Sequence, residues 1–97
     1  MLEACEQEDR ILLQFEGRLD TARSMEMEAE VRKAVTGATM PVVFDLERVD
    51  FVSSYFLRFC LYAHHQAGSH GFQIVGAGPA IKRVFKIAGL DAMLQGD

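Results

Sequence analysis

Apolar and polar side chains mix along Arg10-Ile11-Leu12-Leu13-Gln14-Phe15-Glu16, a short run rich in apolar residues, so residues 10–16 predict a strand. The preceding Gln7-Glu8-Asp9 predicts a turn that folds back a short first strand around residues 2–6. Gly17-Arg18-Leu19-Asp20-Thr21 breaks the pattern, and a helical period then takes over. Met27, Val31, Ala34 and Val35 share one stripe, Glu28 stands four residues before Arg32, and Gly37 supplies a stop, which predicts an amphipathic helix over 21–36.

Pro41 precedes Val42-Val43-Phe44-Asp45-Leu46, a near-continuous apolar run of the kind expected for a central strand covered on both faces. Glu47-Arg48-Val49-Asp50-Phe51-Val52 leads to Ser53-Ser54, a good helix cap, and to a helix ending about residue 67. Its inward face is expected at Leu57, Cys60, Leu61 and His64, and the segment Gly68 to Gly71 closes it. Residues 72–75 predict another strand. Gly76-Ala77-Gly78-Pro79 then opens a last helix with Ile81, Val84, Phe85 and Ala88 inward and Gly89 as its end. Strands alternating with helices of these lengths imply an α/β fold, a single mixed β-sheet with packed α-helices, because the first two strands can form a hairpin.

Ninety-seven residues, 49% hydrophobic and 25% charged, suffice for one modest core, so residues 1–97 are read as one domain. A net charge of −4, with ten Lys and Arg scattered among acids, leaves no basic stripe to track a phosphate backbone, so nucleic acid is not an expected partner. The acidic start lacks the basic and apolar regions of a secretory signal, and no apolar run approaches the roughly 18 residues of a membrane span, so a cytoplasmic location is expected. Cys5 and Cys60, far apart and without metal-ligand spacing, are expected to be reduced and structural.

Gly76-Ala77-Gly78-Pro79 begins like a dinucleotide fingerprint but lacks the third glycine, and too little chain follows for a βαβ unit. His64 and His65 are adjacent and point about 100° apart on a helix, and His70 lies in the next loop, so one partly buried and two surface histidines are expected rather than a metal site. Neither Ser53 nor Ser54 has a general base at a recognisable spacing, and Glu26, Glu28 and Glu30 mark a solvated helix face. The expectation is a non-enzymatic protein without a cofactor or metal. Ser53-Ser54 at a helix start remains, with two readings: both serines cap the helix, or one of them also accepts a phosphate, whose charge a helix N-terminus tolerates.

The order of these motifs resembles the STAS domain, the family of sulfate transporter tails and bacterial anti-sigma factor antagonists, over nearly the whole chain. Gly17-Arg18-Leu19-Asp20 resembles its early GxLD turn, Val42 to Leu46 with Val49 to Val52 its central strand and loop, and Gly78 to Leu90 its closing helix and Gly-Leu end. In the family that loop is followed by Asp-Ser-Ser-Gly-Leu or Asp-Thr-Ser-Gly-Leu, and the residue after Asp is phosphorylated by a partner kinase. The matching stretch here is Ser53-Ser54-Tyr55-Phe56-Leu57, with a hydroxyl kept at Ser54, Ser53 in place of the aspartate and Phe56 in place of the glycine.

The resemblance implies a mixed sheet with helices on its faces and regulation by partner switching. The unphosphorylated domain binds an anti-sigma factor or related serine kinase, phosphorylation at Ser54 releases it, and a phosphatase resets it. Ser53, Ser54, Tyr55, Arg58, Phe59 and Tyr62 are then the candidate partner contacts, with the alternative that Phe59 and one tyrosine fill the core. Two other functions compete with this one. The first is an unphosphorylated STAS accessory subunit docked on a larger complex, such as the ATPase of a lipid transporter. The second is a small enzyme or ligand carrier that uses the polar strand ends.

Overall fold

The computed structural model describes residues 2–94. Strand β1 (Leu2–Glu6) turns back onto β2 (Ile11–Leu19), and the turn is closed by a 2.8 Å bond from the Gln7 amide to the Arg10 carbonyl and a 2.7 Å bond from Arg10 Nε to the Gln7 side chain. Helix α1 (Thr21–Val35) crosses over to β3 (Val42–Val52), and α2 (Ser54–Ala67) crosses over to β4 (Phe72–Val75). Helix α3 (Pro79–Ile87) and a short 3-10 turn, Asp91–Met93, follow. The sheet order is β1-β2-β3-β4, antiparallel at the first pair and parallel at the next two, the mixed α/β sheet expected from the chain pattern. No helix among the described residues is long and apolar enough to cross a membrane.

Both crossovers step the same way across the sheet, so the right-handed rule puts α1 and α2 on one face. Burial agrees. Ile11, Leu13, Phe15 and Leu19 of β2 and Val42, Phe44 and Leu46 of β3 form one core with Met27, Val31 and Val35 of α1, Phe56, Cys60 and Ala63 of α2, and Ile81 and Phe85 of α3. The expectation that helices cover β3 on both faces is not met. Val43 points to the other face, outside this core, and is shielded there in register by Leu12 and Gln73 of the neighbouring strands.

Two strands run further than their hydrophobic pattern implies. β2 continues through Gly17 to Leu19, and β3 is unbroken from Val42 through the strand-like stretch ending at Val52, which the family resemblance implied to be a loop. The pairing shifts register between Gln14 and Glu16 and again between Gly17 and Arg18, so β3 carries two extra residues against β2 before Leu19 meets Val52. Gly17, at φ 91°, supplies backbone that a side chain would strain. These irregularities hide the strand from a period-2 reading, yet they bring Leu19, Val49 and Val52 into the core.

The α2 stripe lies about one residue away from the expected one. Phe56, Phe59, Cys60, Ala63 and Ala67 are buried, whereas Leu61 is 40% exposed and His64 is exposed. The cause is Phe56, wholly buried, whose ring meets Phe15 edge-on at 5.0 Å while Phe15 meets Phe44 at 4.9 Å. Turning α2 to seat that ring carries the small Ala63 and Ala67 to the sheet and His64 outward. All three histidines are exposed, not two, and Ala88 of the last helical turn is exposed rather than inward.

The cysteines also differ from each other. Cys60 is buried, and burial drives its thiol well above the usual range, so it stays a neutral packing group. Both are free thiols, and Cys5, also expected to be structural, is exposed on the edge strand β1. Its position between Ala4 and Glu6 on a sheet edge leaves the thiol outside the helix-covered face.

Phe56→Gly removes the ring that joins α2 to β2 and β3 and places glycine inside a helix. Chemical denaturation should show a loss of about 3–5 kcal/mol. A loss of only about 1 kcal/mol, the helix-propensity cost alone, would mean that the ring does not hold α2 to the sheet.

Candidate functional site

The end of β3 delivers the two serines in opposite directions. The Ser53 amide donates to the Leu19 carbonyl at 2.9 Å, and its Oγ accepts from the Phe56 amide at 3.2 Å, so Ser53 is the N-cap of α2. The same hydroxyl lies 3.5 Å from Oγ of Ser24, which in turn is 3.4 Å from the Leu19 carbonyl. Ser53 is therefore only 9% exposed, its hydroxyl turned into the domain. Of the expected partner contacts, Ser53 is thus the one whose hydroxyl serves as a cap inside the domain. Ser54 opens the helix and is exposed.

Along α2 the remaining candidates separate by burial. Tyr55 and Tyr62 are half-buried and Arg58 is exposed. Phe59 is 5% exposed and stacks edge-on against Phe56 and Tyr55, so it fills the core and is withdrawn as a direct contact. The tyrosines instead face a groove between α1 and α2. Tyr55 Oη donates to Glu28 Oε1 at 2.5 Å, Glu28 Oε2 receives Arg32 Nε at 3.1 Å, and the Arg32 guanidinium lies 4.6 Å over the Tyr62 ring. Tyr62 Oη and Thr36 Oγ1 are 2.5 Å apart, and Arg58 sits 5.3 Å over the Tyr55 ring.

Electrostatics follow from this chain of contacts. The Tyr55 hydroxyl, then Arg32, hold the Glu28 carboxyl below its ordinary range, and the same hydrogen bond raises the Tyr55 phenol above its own. Sequence spacing identified Glu28 and Arg32 only as an intrahelical pair. Their link to Tyr55 and Tyr62 carries no sequence signal, because it depends on how two helices 26 or 27 residues apart in the chain lie side by side.

The space beside these residues is a cleft of about 40 Å³ lined by Glu28, Arg32, Tyr55, Arg58, Phe59 and Tyr62, room for about one water and too small for a cofactor. A wider depression of about 490 Å³ lies elsewhere, along Glu3, Gln14, Glu16, Asp45, Glu47 and Arg48. Neither serine lines it, and among the described residues no group of His, Cys, Asp or Glu is arranged to hold a metal ion. The glycines of Gly76-Ala77-Gly78 have structural uses. Gly76, at φ 74°, passes so close to Asp45 and Glu47 that a Cβ would stand 3.0 Å from each, and Gly78 caps α3. What this surface offers is an exposed hydroxyl at a helix start, with Tyr55, Arg58 and Tyr62 following on the same helix.

Comparison with known proteins places this arrangement. The family model described as Mlab, STAS domain matches residues 4–95, while no curated protein matches the chain. The solved anti-sigma factor antagonist SpoIIAA in its unphosphorylated form is 18% identical, with a TM-score of 0.82 over 98% of this chain and 86% of that one. SpoIIAA, a Bacillus cell fate determinant, also matches in its phosphorylated form, at a TM-score of 0.74, 18% identity and coverage of 98% and 89%. An anti-sigma factor antagonist from Mycobacterium paratuberculosis is 23% identical, with a TM-score of 0.84 and coverage of 98% and 82%. An anti-sigma-factor antagonist (STAS) domain protein from Planctomyces limnophilus is 18% identical, with a TM-score of 0.86 and coverage of 99% and 91%. These structures share the fold, and with a family model matched from β1 to beyond the last 3-10 turn, the chain belongs to the STAS domain family.

Proposed function

We propose that this chain is a non-enzymatic, protein-binding regulatory module of the anti-sigma factor antagonist type, acting in the cytoplasm by partner switching, with residues 1–97 working as one STAS-like domain. The observation that carries the reading is the division of labour between the serines: Ser53 is turned inward as the cap, and Ser54 is exposed as the first residue of α2. A partner kinase transfers the terminal phosphoryl group of a nucleoside triphosphate to Ser54 Oγ, with loss of the hydroxyl proton and release of the diphosphate. The product carries close to two negative charges where free amide N–H groups and the helix dipole offset them, so the domain stays folded. Beside it stand Tyr55, Arg58 and Tyr62, the partner-facing side chains of the unphosphorylated state, with Phe59 supporting them from below. An anti-sigma factor or related serine kinase that covers this patch meets the added charge and dissociates, and a phosphatase restores the hydroxyl.

A second reading is favoured by two residues. Where the resemblance leads one to expect aspartate and glycine, Ser53 offers a capping hydroxyl and Phe56 a buried ring. A module that never meets a kinase needs neither of the family's residues, and it could dock permanently through the same helix on a larger complex such as a lipid-transporter ATPase.

Phosphosite mapping after incubation with the cognate kinase should find the modification at Ser54, because Ser53 Oγ is buried against Ser24 and the Phe56 amide. Modification solely at Ser53, or none with a demonstrably active kinase, overturns the phosphoacceptor assignment. Ser54→Asp should leave the thermal unfolding midpoint near that of the parent while titration calorimetry shows binding of the unphosphorylated-state partner weakened by about ten-fold or more. Unchanged affinity with unchanged stability favours the permanent subunit.

A further inference from the structure

Ser54 and Arg58 stand four residues apart on α2, a spacing that puts two side chains on one face a single turn from each other. Both are exposed. The Arg58 guanidinium is held loosely: it lies 5.3 Å from the centre of the Tyr55 ring, against 4.0 Å for Arg18 over Phe51 and 4.6 Å for Arg32 over Tyr62. Among the described residues it makes no ion pair, and the first turn of α2 contains no acid to claim it. The carboxylate across the groove, Glu28, is hydrogen-bonded by Tyr55 and Arg32 and attracts Arg58 only through a longer-range charge interaction. An exposed, weakly held cation with a planar fork of donors therefore stands one helical turn from the position of the proposed phosphate.

We propose that Arg58 is the internal clamp for a phosphoryl group on Ser54. Its guanidinium leaves the Tyr55 ring and donates to the phosphate oxygens, because charge-assisted hydrogen bonds to phosphate are stronger than a cation–π contact at an exposed site. The inference rests on Ser54 being the acceptor and adds a consequence that the charge alone does not have. Phosphorylation removes Arg58 from the stack a partner would meet, leaving the Tyr55 ring uncovered on that side while its hydroxyl stays on Glu28. The switch then alters the shape of the contact patch as well as its sign. Arg58 acts here as a positioning residue, since the phosphate, not the arginine, carries the signal.

The test uses the full chain with phosphoserine installed at position 54 during translation, so that no kinase is needed, and follows the second phosphate ionisation by phosphorus NMR. With Arg58 as clamp, the phosphate should titrate about half a pH unit lower in the parent than in Arg58→Gln, and Arg58→Lys should recover part of that difference. Thermal unfolding of the three proteins confirms that each is folded, as expected for substitutions on an exposed helix face. Coincident titration curves for the parent and Arg58→Gln overturn the clamp. That failure would leave Ser54 standing as the acceptor, whereas failure of an active kinase to modify Ser54 removes the parent reading without touching the titration result.

Discussion

The edge-on contact of Phe56 with Phe15, and of Phe15 with Phe44, is the constraint on which the rest of this molecule depends. It joins β2, β3 and α2 in one place, and in doing so sets the rotation of α2 about its own axis. With Phe56 facing the sheet, the residue three positions earlier lies on the same inner side and the residue two positions earlier lies outside. Ser53 is thereby inward and Ser54 outward. Rotation by one residue, the arrangement a simple hydrophobic stripe through Leu57, Leu61 and His64 would prefer, would turn the outward hydroxyl toward the domain.

A second point of convergence lies at the ends of the strands. The Leu19 carbonyl receives the Ser53 amide at 2.9 Å, and the hydroxyls of Ser24 and Ser53 lie beside it at longer range, so the end of β2, the first turn of α1 and the cap of α2 converge on one polar cluster. Buried hydroxyls are tolerable only where each finds a partner, and here they satisfy one another and the cap. The register shifts between β2 and β3 matter for the same reason. Without the two extra residues in β3, Val52 would not come opposite Leu19, and the cap would start elsewhere on the sheet.

On the outer side the same two helices create a surface of different character. Tyr55 and Tyr62 are fixed by Glu28, Arg32 and Thr36 of the α1 side, so their rings are presented in defined orientations without the entropy cost of ordering them on contact. Arg58 is the least constrained member of the group. The outer face of the two helices thus combines tyrosines held in place, one loosely held cation and, at the helix start, an exposed hydroxyl. The solved relatives share the fold, and the residues described on this face belong to this chain.

Much of this was legible in the chain. The apolar-rich run at residues 10–16, the helical spacing of Met27, Val31 and Val35, the run Val42 to Leu46, the serine cap before α2 and Pro79 in the first turn of α3 determine which segments are strands and helices, because burial periodicity and capping are local properties. The motif order also determined the family. The length of β3, the exposure of Ala88 and His64, the burial of Phe59 and the opposite orientations of Ser53 and Ser54 were decided only by tertiary structure. Each depends on a contact between elements remote in the chain: a bulged parallel pairing, a phenylalanine seated between two strands, or two helices laid side by side. Local pattern names the faces a helix could bury, and the shape of the opposing sheet selects one of them.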